Sequence, residues 1–263
     1  MPLLSPFNPA LPAWRDARVW VIGASYGIGA ATSRALMASG ARVALSARDV
    51  GKLRDVARDA SAGSTLVAPL DFTNVDAVGA TLETIRAQWG GIDLVLIVAG
   101  THQEMRAWEL TAAKARALLE TNLHGPIGVA SKVVPALLAQ GYGSIGIVSS
   151  LAGYRGLPKA LIYGASKAAL VNFAESLYLD LRPRNLGVYL INPGFVRTPL
   201  TDRNDFPMPN LISAEEAAEA ILRGLERGAF EIDFPKAFSW KMKLMRLLPY
   251  RLYFPAVRRA TGL

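Results

Sequence analysis

Six short apolar runs, each separated from the next by longer segments of different pattern, constrain the fold of this chain most. They are residues 18–23 (RVWVIG), 42–47 (RVALSA), 65–70 (TLVAPL), 93–100 (DLVLIVAG), 144–150 (SIGIVSS) and 187–194 (GVYLINPG). None alternates polar with apolar residues as a half-solvated strand does, so each reads as a strand covered on both faces. Residues 27–40 and 213–228 carry apolar residues at helical spacing, and the second opens on a Ser213–Glu216 capping box. Strands alternating with helices give an α/β doubly wound parallel sheet with helices on both faces. Residues 230–234 (FEIDF) bring the count to about seven strands.

A chain of 263 residues fits one such domain, 1–263, without division. Residues 1–16, interrupted by four prolines, read as an N-terminal extension, and 235–263 as a basic amphipathic tail. The segment 199–210 is the longest expected loop, placed where this architecture carries a lid over substrate.

Composition excludes several classes of chemistry. With no cysteine there is no disulfide, thiol nucleophile or Cys-based zinc site, and two histidines, His102 and His124, argue against a metal site. The N-terminus is a poor signal peptide and no apolar run is long enough to cross a membrane, so a cytoplasmic setting is expected. The net charge of +8 is concentrated: residues 235–263 hold seven cations and no acid, leaving the remainder nearly neutral. That distribution argues against nucleic acid as a partner.

Gly23-Ala24-Ser25-Tyr26-Gly27-Ile28-Gly29 follows the first strand and opens the first helix. Glycines let backbone approach a pyrophosphate, and free N–H groups at a helix start favour an anion, so this turn is expected to hold a dinucleotide. The second strand ends in Ala47-Arg48, where NAD-binding folds tend to carry an acid for the ribose 2′-hydroxyl. Arginine suits a 2′-phosphate instead, so NADP(H) is expected ahead of NAD(H). Asp71, just after the third strand, is a candidate partner for the adenine amino group.

Tyr163 and Lys167 lie four residues apart in the helical segment 161–181, on one helical face. A Tyr–Lys pair at this interval arises by chance about one time in four, so alone it is weak. Ser149-Ser150 ends the fifth run, at the carboxyl edge where such sheets bind ligands. Asn122 lies in a helical segment that Gly125-Pro126 is expected to break. A catalytic reading of these residues competes with a buried cap, an amphipathic tyrosine, a snorkelling lysine and a helix-bending asparagine.

In the order and spacing of these motifs the sequence resembles the short-chain dehydrogenase/reductase family, single-domain branch, over roughly residues 17–200. The matching residues are Gly23, Gly27, Gly29, Asp71, Ala99-Gly100, Asn122, Ser150, Tyr163, Lys167, Asn192-Pro193-Gly194 and Thr198. The resemblance implies a Rossmann-type fold and a catalytic tetrad of Asn122, Ser150, Tyr163 and Lys167. Ser150 would hold the substrate carbonyl, Tyr163 act as acid or base, and Lys167 stabilise the phenolate and hold the nicotinamide ribose. Asn122 would position a water linking the lysine to solvent. Ser25, Tyr26, Ile28, Pro193, Gly194, Val196 and Thr198 join the cofactor contacts, and a homodimer or homotetramer is expected. The chain departs from the family at Ile22, at Tyr26, where NADP-preferring members often carry a base, and at Ile97-Val98, where two asparagines are frequent.

The expected function is hydride transfer between NADP(H) and a small-molecule carbonyl or secondary alcohol. His102, Leu151, Tyr154, Leu157 and Phe195 would line an apolar substrate pocket. A catalytically silent cofactor-binding sensor is the alternative, as is a peripheral membrane-interaction protein acting through the tail. That tail is read either as an interfacial segment, divided by Pro249 and Pro255, or as a flap over the substrate mouth or another subunit.

Overall fold

The computed structural model describes residues 5–58, 60–61, 63–199, 201 and 208–262. Seven strands form one parallel sheet: β1 (Arg18–Ile22), β2 (Arg42–Ser46), β3 (Thr65–Val67), β4 (Leu94–Ile97), β5 (Ser144–Val148), β6 (Gly187–Pro193) and β7 (Glu231–Phe234). Their order is β3-β2-β1-β4-β5-β6-β7. The winding reverses between β1 and β4, so a crevice opens beyond their carboxyl ends.

Period-two alternation sends each strand's side chains to opposite faces, and both faces are buried except at the edge strand β3, whose three residues are only half-buried. Trp20, Ile22, Val95, Ile97, Ile145 and Ile147 face one layer, with α3 (Val75–Trp89), α5 (Gly125–Gln140) and α6 (Leu161–Leu181). Val19, Val21, Val43, Leu45, Leu94 and Leu96 face the other, with α1 (Gly27–Ala38), α2 (Val50–Ala57) and α7 (Ala214–Glu226). The predicted capping box closes at α7: Glu216 N–H donates to Ser213 Oγ at 3.0 Å, and Ser213 N–H to Glu216 Oε2 at 2.8 Å.

Three local expectations need correction. β3 proper is only Thr65–Val67, although the chain stays beside β2 a little further: Ala68 N–H donates to Leu45 O at 2.9 Å and Leu70 N–H to Ala47 O at 3.0 Å, and Pro69, between them, falls on the open edge where no ladder bond is lost. Gly125-Pro126 does not break the chain's helical course: α5 runs on through Pro126 directly from the preceding turn. The irregularity falls earlier, in a π-turn at Glu120–His124 between α4 (Ala112–Leu119) and α5. In the tail, Pro249 does separate α8 (Lys236–Leu247) from α9 (Tyr250–Thr261), but Pro255 lies inside α9. Tyr253 and Val257, buried on either side of it, hold α9 together through packing.

The N-terminal extension is fastened to the sheet. Asn8 is buried, its Nδ2 donating to Val188 O at 2.8 Å while Val188 N–H donates to its Oδ1 at 2.9 Å. Most of the segment 199–210, expected as a lid, lies outside the described residues.

Candidate active site

A cavity of about 750 Å³ runs along the crevice at the carboxyl edge. One end is built by the turn after β1. Gly23 has φ +97°, and a side chain there would stand 2.5 Å from Ala99 N. Gly29 lies against the returning chain, where a Cβ would meet Gly23 O at 2.0 Å. The glycines are therefore required by the fold's own close approaches, whatever the cavity holds. Tyr26 provides no side-chain cap to α1, and the first turn of α1 has no acid, which leaves the helix start suited to an anion.

Ser25, Tyr26, Gly27, Ile28, Arg48 and Asp71 line this end together with Lys52, a cation that carries no sequence signal of its own. Lys52 follows the N-cap Asp49 of α2, and its ammonium stands 6.0 Å from the Tyr26 ring. Arg48 and Lys52 are exposed, and Lys52 Nζ stands 3.7 Å from Asp49 Oδ2. Asp71 Oδ1 accepts from Thr73 Oγ1 at 2.7 Å and Thr73 N at 3.1 Å. Those bonds, with a smaller contribution from Arg48, hold its carboxyl below the usual range.

The other end is lined by Ala99, Gly100, Ser149, Ser150, Tyr163, Lys167, Pro193, Gly194, Val196 and Thr198. Two serines close β5, and they are not equivalent. Ser149 Oγ donates to Lys167 O at 2.7 Å, which commits it to α6. Ser150 Oγ accepts from Ala152 N at 3.1 Å and bonds the Tyr163 hydroxyl. Lys167 is buried, and its Nζ donates to Val148 O at 3.1 Å while standing 5.8 Å from the Tyr163 ring centroid. Burial pushes the Lys167 ammonium down to about 8. Burial also raises the Tyr163 phenol, against a smaller lowering by Ser150.

Asn122 does not line the cavity, although it supports its wall. Its Nδ2 donates to Thr101 O and its Oδ1 accepts from Thr101 N, each at 2.8 Å. The π-turn re-aims the side chain across to the segment after β4, a use to which such turns are suited. Where the family carries asparagines, Ile97 is instead buried in the core and Val98 N donates to Ile22 O at 2.8 Å.

The expected substrate-side residues divide. His102 stands edge-on to Tyr163, with ring centroids 4.6 Å apart, and burial lowers its pKa. Leu151 and Tyr154 are buried with Met242, and Leu157 and Phe238 pack against them. Tyr154 is not free to meet a ligand through its hydroxyl, which bonds Glu231. Phe195 packs on Phe238, with centroids 5.4 Å apart. The tail thus returns over Leu151, as the flap alternative anticipates; that Phe238 and Met242 are the residues making the contact is fixed only by the fold.

Residues 17–206 match the family model described as short chain dehydrogenase. A curated relative from Myxococcus xanthus, named an uncharacterized oxidoreductase, is 37% identical over 241 residues, covering 91% of this chain and 95% of its own. The crystal structure of a short-chain type dehydrogenase/reductase from Mycobacterium marinum superposes with a TM-score of 0.77 at 25% identity, over 88% of this chain and 97% of that one. An actinorhodin polyketide ketoreductase solved with NADPH shares the fold, with a TM-score of 0.76 at 24% identity, over 86% and 98% of the two chains. The chain is thus an oxidoreductase of nicotinamide-cofactor type, a member of the short-chain dehydrogenase/reductase family.

Proposed function

We propose that this protein reduces a carbonyl, or oxidises the matching secondary alcohol, with NADP(H) and with Tyr163 as the proton carrier. The observation that supports it most is the meeting of Tyr163, Ser150 and buried Lys167 in the same cavity as the glycine turn of α1. When bound, the nicotinamide supplies or accepts the hydride.

The fit to that cofactor rests on two features. An uncapped helix start at Tyr26 suits the pyrophosphate, and Arg48 with Lys52 suits a 2′-phosphate. The NADPH in the polyketide ketoreductase structure is consistent with that preference. Asp71 keeps one carboxylate oxygen clear of Thr73 for the adenine amino group. Lys167 would hold the nicotinamide ribose, with Pro193, Gly194, Val196 and Thr198 bordering the ring.

The proton chemistry follows from the environment of each group. Tyr163, raised by burial, is a neutral phenol at pH 7, and Lys167 near 8 is largely an ammonium. That pairing is set for reduction: Ser150 donates a hydrogen bond to the substrate oxygen and Tyr163 Oη gives its proton to the developing alkoxide. The ammonium stabilises the phenolate left behind. In oxidation the phenolate must form first, so that direction gains with rising pH until Lys167 loses its proton. Asn122 acts as a positioning residue, fixing Thr101 and the wall after β4; the water relay implied by the family has to share Oδ1 with Thr101.

The substrate side is apolar and aromatic, which favours a hydrophobic ketone, aldehyde or alcohol. Assembly as a homodimer or homotetramer belongs to the same reading, and sedimentation velocity decides the number. The test is a panel of carbonyls and alcohols followed by absorbance of the reduced cofactor, with NADPH and NADH in parallel. Turnover with NADPH on hydrophobic carbonyls is expected. Tyr163→Phe should lower it by about a thousandfold and leave NADPH binding intact. Unchanged turnover in that variant overturns the mechanism, and an NADH preference overturns the role of Arg48.

A further inference from the structure

The two tail helices have an anchored inner face and an outer face whose apolar side chains lie largely open to solvent. Inside, Ser239, Met242, Tyr253 and Val257 are buried. Lys243 pairs with Glu231 at 2.8 Å and Asp233 at 3.2 Å, which ties α8 to β7. Arg155 donates to the carbonyls of Met245, Arg246 and Leu248 at the end of α8, and its guanidinium stands 4.0 Å from the Tyr253 ring centroid. Tyr253 Oη donates to Gly156 O at 2.7 Å. The element is thereby fastened to the loop that follows Ser150.

Outside, Trp240, Leu244 and Leu247 recur at intervals of four and three, so they form one stripe along α8. They are 70%, 67% and 80% exposed. On α9, Tyr250 and Phe254 are exposed and stacked 5.4 Å apart, with Tyr250 also 4.8 Å from the Arg155 guanidinium, and Leu252 is exposed on the far side of the helix. Six of the sixteen large apolar side chains exposed among the described residues fall in this one short segment. Lys241 and Arg251 are exposed beside them, while Arg246 turns inward over the Tyr154 ring at 5.7 Å, and residues 235–263 include no acid. A fold that anchors a helix this firmly and still presents tryptophan and leucine to water has a partner for that face.

Charge decides which partner. A second copy docking through the same surface would set these cations against themselves with no acid to answer them. A polyanion such as nucleic acid answers the cations but leaves Leu244 and Leu247 without apolar cover. The boundary of an anionic bilayer takes both, with aliphatic groups at the acyl edge, Trp and Tyr at headgroup level and cations on lipid phosphates. At 12 residues α8 is about 18 Å long, short of the roughly 30 Å hydrocarbon core. No helix among the described residues is long and apolar enough to cross a membrane.

We propose that the outer face of α8 and α9 is a docking surface for an anionic phospholipid bilayer, on which the protein lies without spanning it. Phe238 and Met242 of the docked element pack with Leu151 and Tyr154, next to Ser150. The site is therefore set against the membrane, and its substrate is a carbonyl or alcohol dissolved in lipid. This last clause rests on the oxidoreductase reading above; the docking surface does not.

The test uses the full chain and two sets of vesicles, phosphatidylcholine alone and phosphatidylcholine mixed with phosphatidylglycerol. Co-sedimentation with the mixed vesicles only, weakened by added salt, is expected. The pair Trp240→Glu with Leu247→Glu should cut binding at least about tenfold, as should Lys241→Glu with Arg251→Glu. All four positions are exposed, and circular dichroism verifies folding. Reduction of a water-soluble ketone should be unchanged in both variants, while reduction of a bilayer-dissolved ketone falls. No binding to mixed vesicles, or equal binding by the variants, overturns the proposal. Loss of a dimer in the variants without lipid overturns it too, by assigning the face to a second copy. Equal rates on the bilayer-dissolved ketone overturn the substrate clause. Absence of turnover on every carbonyl sinks the oxidoreductase reading alone, because vesicle binding is measured without turnover.

Discussion

The two ends of the crevice are built on opposite principles. At the glycine turn, the backbone path is fixed by the close approaches at Gly23 and Gly29, while the side chains proposed to meet a ligand, Tyr26, Arg48, Lys52 and Asp71, are all exposed. At the end of β5, the side chains themselves are withdrawn from water: Ser149, Ser150 and Lys167 are buried, and Tyr163 is half-buried. Exposed groups contribute in modest, separable increments. Buried groups have their protonation states set by desolvation, so removing one disturbs the others.

The buried end is where this comparison breaks most visibly. Lys167→Met, which keeps the stem and deletes the charge, should lower turnover by about 10²–10⁴-fold, with Michaelis constants moved far less. The same variant has a stability signature that needs no substrate. Because the folded pKa of Lys167 is depressed to about 8, the folded state at neutral pH carries a buried ammonium that the unfolded chain solvates. That penalty, ~3 kcal/mol at most, lifts as pH rises from about 8 toward the unfolded value. Tyr163, Tyr154 and Tyr189 oppose it only above about pH 10, since burial raises all three and favours their neutral forms. Melting temperature of the cofactor-free protein should therefore climb between pH 8 and 10, and the slope should vanish in Lys167→Met. A flat wild-type profile would remove the argument that desolvation governs this end.

The exposed end should respond more gently and more selectively. Arg48→Glu is expected to raise the NADPH Michaelis constant by about 10–100-fold while leaving NADH within a few fold, since a lone charge-assisted contact accounts for about 1.5–3 kcal/mol. Adding Lys52→Glu should extend the shift roughly additively, as exposed cations do not depend on each other's burial. Initial rates with both cofactors give the ratio directly. An equal loss for NADH would mean that Arg48 supports the fold of the turn and does not read a phosphate.

Legibility in the sequence follows the same division between local and distant causes. Strands covered on both faces read as continuous apolar runs, so the sheet was visible down to FEIDF. The glycine turn and the Tyr163–Lys167 pair were visible because each is fixed within one element. What escaped depends on contacts far apart in the chain. The π-turn that swings Asn122 onto Thr101 leaves no composition signature. Lys52 is an ordinary exposed helix residue until β1 and α1 bring Tyr26 beside it. The tail was legible as a flap or an interfacial segment, but which of its residues close on the wall beside Ser150, Phe238 and Met242, depends on the distant Lys243–Glu231 and Arg155 anchors. Pro255 was expected to end a helix, but Tyr253 and Val257 bury on both sides of it and override that preference.

Asp71 should give the smallest effect, and it is the most discriminating probe of the exposed end. Its Oδ1 is already taken by Thr73, and asparagine can accept the same two bonds, so the local turn survives Asp71→Asn. Two consequences then oppose each other. The proposed hydrogen bond to the adenine amino group would lose its charge assistance, which weakens binding; a negative charge is also removed from beside Arg48, which would strengthen attraction for the proposed 2′-phosphate. The NADPH Michaelis constant should stay within about threefold, and the NADH constant should rise more, because only NADPH gains from the second term. If Asp71→Asn instead costs NADPH tenfold or more, this end is coupled as tightly as the buried one, and exposure is not what separates them.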